Sequence, residues 1–449
     1  MRMDMKLVSF VLILTVVLLE AKINFWEDLQ LAISRKAIFN YLFAKTPNVV
    51  RVRKPEKIVT QANYVTTLDF IGLVERYGYP AEEHYVTTED GYNLVIHRIS
   101  GSPLSNNQQR KKVIFLQHGL LGSSDSWVSI GAGKDLAFLL ADQGYDVWVG
   151  NVRGNSYCRS HVKLSPQNKD FWQFSYDEIG TKDLPVMIDY VLSNTKQKTL
   201  RYVGHSMGTT TLFILLSTKP EYNVKIKLGI LLAPVGIWKE ISTPVEHIYN
   251  RIPKLKGFLD SNGIYEIATL SSKSISIGRT LCSDTAVTQA VCIAIFFLLS
   301  GSDPAQLNTT MLPEILSHFP SGASVQTFHH FYQNIATQKF QAYDYGYFNN
   351  YKQYGQSTPL IYDLKKVTAP MALFYGDNDQ LDLKSSVLET SKHLPNIILL
   401  EQIPYKLFTH LDFLWATDGK ALLYDRVIEV LEELIFRRLC QSMNSLTFC

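Results

Sequence analysis

The chain has 449 residues, 46% of them hydrophobic and 19% charged, the balance of a globular protein and not of a disordered one. Its formal net charge is +3, from 44 basic against 41 acidic residues, so the composition does not point to a nucleic-acid binder, which gathers a basic excess into a patch. Five cysteines with no Cys-x-x-Cys pair argue against a disulfide-built scaffold and against a structural zinc site.

In chain order, residues 1–21 have the form of a secretory signal. Arg2 and Lys6 make a positive start, residues 7–19 form an uncharged, mostly apolar run, and Ala21 is a small residue where cleavage fits. That run has 13 residues, short of the roughly 20 that span a bilayer. Residues 22–66 read as an N-terminal arm or pro-segment. A basic knot within it, at Arg51, Arg53, Lys54 and Lys57, reads as solvated surface. Residues 67–234 and 367–436 carry the rhythm of a core. First, Glu89-Asp90-Gly91 between two alternating runs predicts a hairpin. Short runs rich in apolar and β-branched residues follow at 113–116, 145–149, 200–203, 226–232, 371–375 and 397–400, with helix-length segments at 134–143, 183–192 and 207–217. Buried strands alternating with helices predict an α/β fold with a mostly parallel sheet covered on both faces. The rhythm stops over residues 235–366, which read as a mostly helical insertion, a cap or lid on the sheet. Residues 437–449 form a tail. A second apolar run, 291–299, is again too short to span a membrane, so no transmembrane span is expected. The sequon Asn308-Thr309-Thr310 is a candidate glycan acceptor in a secreted chain.

The sharpest chemical feature is Gly204-His205-Ser206-Met207-Gly208, with a strand running in and a helix running out. Gly-x-Ser-x-Gly alone is weak. In a strand–turn–helix it is the nucleophile elbow, where glycines permit close backbone approach and a strained serine presents its hydroxyl. A serine hydroxyl needs a base, and the base needs an orienting acid. Both are expected after the strands that follow. His410 lies in the loop after strand 397–400 and is the candidate base. His247, His318, His329 and His330 fall in the insertion, and His393 falls on a helix. After strand 371–375 come Asp377, Asp379 and Asp382. Asp379 is the choice for the acid, Asp382 reads as a helix cap, and Asp377 stays open. The oxyanion needs backbone N–H donors. One is Met207, next to the serine. The other is Leu120, in the loop His118-Gly119-Leu120-Leu121-Gly122 after an early strand, with His118 holding that loop.

Several further segments appear in order: Gly78-Tyr79-Pro80, Thr88-Glu89-Asp90-Gly91-Tyr92, Leu116-Gln117-His118-Gly119-Leu120-Leu121, Asn151-Val152-Arg153-Gly154-Asn155, Phe174-Ser175-Tyr176-Asp177-Glu178, Phe340-Gln341-Ala342-Tyr343-Asp344 and His410-Leu411-Asp412-Phe413. With the elbow, this set resembles the animal acid lipase family, which includes gastric lipase and lysosomal acid lipase. The resemblance runs from about Tyr79 to Tyr424. It implies an α/β-hydrolase fold with a helical cap, a triad of Ser206, Asp379 and His410, and oxyanion donors at Leu120 and Met207. It also implies a cap disulfide between Cys282 and Cys292. Met207 departs from the glutamine common after the family's serine, but the donor there is a backbone N–H. The arm and a tail with Cys440 and Cys449 extend beyond the family pattern.

The expected function is a secreted or lysosomal lipase. It would cleave carboxylic esters of neutral lipids, triacylglycerol or cholesteryl ester, at a lipid–water interface and without a cofactor. Its rivals are an esterase for small soluble esters and a non-enzymatic lipid-binding homologue. The intact triad speaks against the second. The all-apolar run 290–299 separates lipase from esterase: it either meets lipid or is a buried cap helix.

Overall fold

The computed structural model describes residues 50–58, 60–61, 64–104 and 111–442. The expected signal at residues 1–21, most of the arm, and the end of the tail with Cys449 lie outside these residues. The central sheet contains β1 (Ala81–Thr87), β2 (Tyr92–Ile99), β3 (Lys112–Gln117), β4 (Tyr145–Gly150), β5 (Leu200–His205), β6 (Ile226–Leu232), β7 (Met371–Tyr375) and β8 (Ile397–Gln402). Their order across the sheet is β8-β7-β6-β5-β3-β4-β2-β1, with a two-residue strand, Ser160–His161, added on β2. Pairings from β4 through β8 are parallel, while β1–β2 and β2–β4 are antiparallel. The hairpin at Asp90-Gly91 produces that antiparallel edge.

Each central strand is buried on both sides, so alternate residues feed two separate apolar layers. Phe115, Trp148, Tyr202, Leu231 and Leu373 point to one face, where α3 (Leu184–Thr195) and α4 (Met207–Thr218) cover them. Ile114, Leu116, Val147, Val149, Val203 and Phe374 point to the other, beneath α2 (Leu136–Asp142) and α13 (Asp425–Ser442). The first helix, α1 (Phe70–Glu75), joins that second layer through Phe70, Ile71 and Leu73. Edge strand β8 shows the contrast: Ile398 and Leu400 are exposed there.

Between β6 and β7 the structure turns helical: α5 (Thr243–Tyr249), α6 (Ile252–Ser261), α7 (Ser272–Leu281), α8 (Gln289–Ser300), α9 (Leu312–His318), α10 (Val325–Thr337) and α11 (Tyr347–Tyr354). After β7 the chain adds α12 (Lys384–His393). Cys282 and Cys292 are disulfide-bonded, with 5.8 Å between their Cα atoms, and pin the corner between α7 and α8. Among the described residues no helix is long and apolar enough to cross a membrane.

One expectation is corrected. The basic knot of the arm is not all solvated surface. Strand Val50–Val52 pairs in parallel with Tyr64–Leu68, and Arg51 turns inward, its side chain 13% exposed, onto the fully buried carboxylate of Asp125. A buried carboxylate demands a counter-charge, and that demand overrides the usual preference of arginine for water. Lys54 and Lys57 are exposed, as their sequence suggests.

A second buried arginine locks the hairpin to the core. Arg153 Nη1 and Nη2 donate to Asp90 at 2.8 and 3.0 Å, and its Nε donates to Asp183 at 2.7 Å. The guanidinium also sits 4.0 Å from the centre of the Tyr92 ring. Burial alone would raise the Asp90 carboxyl, but the Arg153 guanidinium and Lys182 hold it well below the usual carboxylate range. That contribution is therefore complete at neutral pH and is lost as pH falls through the depressed value. Replacing Arg153 with methionine leaves two carboxylates facing an apolar group. The expected loss is about 3–5 kcal/mol in urea unfolding at neutral pH. An unchanged unfolding midpoint would contradict this account of the hairpin.

Candidate active site

Strand β5 is buried along its whole length and passes into α4 with a single residue between them, Ser206. Ser206 has φ 53° and ψ −121°, a conformation that L-residues rarely adopt and that costs on the order of 1–3 kcal/mol. The neighbouring glycines make it possible. A Cβ on Gly208 would lie 2.4 Å from the Gln117 carbonyl oxygen of β3, and one on Gly204 would lie 2.9 Å from the Gly208 carbonyl. Helix and strands thus approach closer than any side chain permits. The Ser206 N–H donates to Leu232 O at the end of β6, at 3.0 Å.

His410 follows β8 in a loop, and its Nε2 accepts from the Ser206 hydroxyl at 2.8 Å. In that tautomer Nδ1–H donates to Asp379 Oδ2 at 2.7 Å. The Asp379 carboxylate is itself held by the N–H groups of Leu381 (2.9 Å) and Asp382 (2.8 Å) on Oδ1. The backbone of His410 is gripped from two sides. Its N–H donates to Ser300 O at 3.3 Å, and its carbonyl accepts from His205 Nε2 at 3.0 Å. Asp377 stands apart, on the surface 3.9 Å from Lys384 Nζ, and does not meet the imidazole. Asp382 is not a helix cap, since Leu383 occupies the cap position of α12. It is buried beside Asp379, and burial together with that carboxylate pushes its carboxyl well above the usual range.

The loop after β3 comes up against the serine. A Cβ on Gly119 would lie 2.9 Å from the Ser206 Cβ. His118 is buried, its Nδ1 donates to Gly119 O at 2.8 Å, and burial pushes it down to about 4. It holds the loop as a neutral imidazole. Leu121 has φ 63°, and its carbonyl accepts from the Ser321 N–H at 2.7 Å. Leu120 and Met207 both line a narrow cleft, together with Phe174, Ile179, Ala323 and Thr327. An activated alcohol, a base held in one tautomer, and N–H groups beside the attack point are the parts that acyl transfer needs.

The remaining histidines lie elsewhere. His393 is surface-exposed and 3.5 Å from Glu389, while His318 and His330 are buried in contacts between insertion and core. Two residues of the site escape a reading of the sequence. His205, the variable position of the elbow, fastens the His410 carbonyl. Asp382 lies buried beside Asp379, with its carboxyl pushed well above the usual range. Neither has a spacing signal, because each acts only once distant loops are brought together.

The insertion reaches the site through α8. Its last carbonyl, that of Ser300, accepts from the His410 N–H, and the Phe296 ring lies tilted against Trp415 of the core with centroids 6.2 Å apart. The opposite stripe, Val291, Ile295 and Leu298, is 44%, 55% and 54% exposed. Burial of this run therefore holds for one face of the helix only.

Comparison with known proteins identifies the family. Residues 70–131 match the partial alpha/beta-hydrolase lipase region, and residues 112–416 match the alpha/beta hydrolase fold. Lipase 3 of Drosophila melanogaster is 38% identical, over 80% of this chain and 91% of its own. Human gastric triacylglycerol lipase is also 38% identical, over 82% of this chain and 92% of its own. The lysosomal acid lipase/cholesteryl ester hydrolase of Macaca fascicularis is 37% identical, over 84% and 93% respectively. At this identity and coverage, the chain belongs to the animal acid lipase family of α/β-hydrolases.

Proposed function

We propose that the protein is a lipase of the secretory route that hydrolyses neutral lipid esters through Ser206, His410 and Asp379. The observation that carries this reading is the continuous hydrogen-bonded chain from Asp379 through His410 to a serine held at positive φ. His410 Nε2 takes the Ser206 proton as Oγ attacks the ester carbonyl. The N–H groups of Leu120 and Met207 receive the oxyanion. His410 then gives the proton to the departing alcohol, and the acyl chain stays on Ser206. Water, deprotonated by the same imidazole, releases the fatty acid. Asp379 fixes the tautomer and offsets the imidazolium charge that forms in each step. Side chains and backbone N–H groups carry all of these steps.

Triacylglycerol and cholesteryl ester are the substrate classes favoured, since the named relatives are a gastric triacylglycerol lipase and a lysosomal cholesteryl ester hydrolase. The exposed stripe of α8 supports action at a lipid–water interface. Contact with lipid removes those side chains from water at about 25 cal/mol per Å². Because α8 ends on His410, such contact is transmitted directly to the base. Secretion is supported by the leader, and a glycan on Asn308 by the sequon.

The chemistry can be checked at two residues. A serine-directed phosphonate labels Ser206, and Ser206→Ala abolishes both labelling and turnover. His410→Ala loses several orders of magnitude in rate, on the order of 10³-fold or more, while His393→Ala keeps most of it. The reverse ranking of the two histidines would overturn the assignment. The interface reading makes a further prediction. Ile295→Asp, on the exposed stripe, lowers activity on a triacylglycerol emulsion at least several-fold more than on a dissolved short-chain ester. Equal loss on both substrates would favour the soluble-ester esterase.

A further inference from the structure

A buried charge cluster lies where the N-terminal arm, the loop after β3 and the insertion meet. At its centre is Asp125, fully buried in the turn Ser124–Trp127, a few residues beyond Leu120. Its Oδ2 accepts from Arg51 Nη1 at 3.0 Å and lies 3.1 Å from His318 Nδ1, and its Oδ1 accepts from the Tyr157 hydroxyl at 2.6 Å. The Arg51 guanidinium lies over the Tyr157 ring, 3.9 Å from its centre. Its second terminal nitrogen donates to Ser156 Oγ at 2.6 Å. Ser156 and Ser321 are joined through their hydroxyls, and the Ser321 N–H donates to the Leu121 carbonyl. Two tethers therefore run from Arg51 to the segment that carries the Leu120 N–H, one through Asp125 and one through Ser156 and Ser321. The second tether ends on Leu121 itself, which stands at a positive φ that an L-residue rarely adopts.

We infer that Arg51 is a positioning residue for the ester hydrolysis: tied to Asp125 and, through Ser156 and Ser321, to Leu121, it holds the loop so that the Leu120 N–H faces the carbonyl bound at Ser206. The inference rests on Leu120 being an oxyanion donor, as proposed above. It gives the arm a part in the active site, so that proteolytic removal of the arm through Arg53 would remove the anchor.

The cluster also dictates how the loss of Arg51 depends on pH. Arg51 is charged at every working pH, so Asp125 stays neutralised whatever the state of His318. Without Arg51 the remaining positive partner of Asp125 is His318. Around His318 stand Glu314, 3.8 Å from its Nε2, and Arg76, which pairs with Glu314, while Arg279 bonds Ser317 beside it. His97 packs on the far side of Tyr157. Burial lowers the proton affinity of His318, but Asp125 and Glu314 outweigh it and raise the group above the ordinary histidine value. A variant without Arg51 thus keeps its loop at acid pH, where His318 is charged, and loses it as pH rises through that raised value.

The test is steady-state kinetics of the full chain on a dissolved short-chain p-nitrophenyl ester, with phosphonate labelling of Ser206 in parallel. Arg51→Met is expected to lower kcat about 10- to 100-fold, less than outright removal of an oxyanion donor, with KM nearly unchanged and a deeper loss at pH 8 than at pH 5. Arg51→Lys restores most of the rate. Ser156→Ala, which strands no buried charge, lowers kcat a few-fold at wild-type melting temperature. If Arg51→Met does not accumulate, the lysine and serine variants carry the test. Wild-type kcat in Ser156→Ala, with Arg51→Met losing only thermal stability, would overturn the inference while labelling at Ser206 leaves the catalytic reading intact. Failure of the wild-type protein to label at Ser206 would overturn both.

Discussion

A single strained residue organises this molecule. Ser206 takes a backbone conformation that costs free energy wherever it occurs, and β5, α4, β3 and β6 are arranged so that no relaxed alternative exists. Gly208 must lack a side chain because the Gln117 carbonyl of β3 lies where its Cβ would be. The same contact fixes the angle at which α4 leaves the sheet. The end of β6 then holds the serine N–H, and the loop after β3 has no room for anything larger than Gly119. The sheet, covered on both faces, supplies the stiffness that keeps this strain from leaking away.

Around that residue the supporting groups divide by function. Asp379 and His205 constrain His410 from its ring and from its backbone, so the imidazole has little freedom to leave the hydroxyl. Asp382 supplies a backbone N–H to Asp379, while burial and the neighbouring carboxylate push its own carboxyl well above the usual range. The oxyanion side is built differently. There the loop is secured by a neutral histidine, a serine N–H from the insertion and a charged cluster beyond. His410 is therefore held by the core together with α8, and the loop after β3 by the core together with the insertion and the arm. The insertion thus contacts the chain on both sides of the serine, at His410 and at Leu121.

Much of this is legible in the residues. The sequence places β6 and β7 at their observed limits, since a run such as Ile226–Leu232 is apolar enough to be a strand buried on both faces and nothing else. Ser206 and His410 are readable because each follows a strand and the chain order restricts the candidates. The three aspartates after β7 are harder. Asp377, Asp379 and Asp382 have equal chemistry in one loop, and only the course of that loop separates a surface ion pair, a partner of His410 and a buried carboxyl. Arg51 misleads for a related reason. Basic residues in a polar stretch look like solvated surface until Asp125, more than seventy residues away, is brought beneath them. The face of α8 is equally hidden, since a helix apolar all round has no polar side to show which flank meets the core.

That face has a consequence for the protein outside its reaction. Val291, Ile295 and Leu298 form a greasy strip that stays in water whenever no lipid is near. Such a strip does not distinguish a fat droplet from an air bubble, a plastic wall or a second molecule of the same protein. Adsorption to such surfaces is the expected behaviour of an exposed apolar strip. The disulfide at Cys282–Cys292 keeps the start of this helix folded while it waits. A catalyst built this way trades colloidal quiet for readiness, and it is best kept where its substrate is already dispersed.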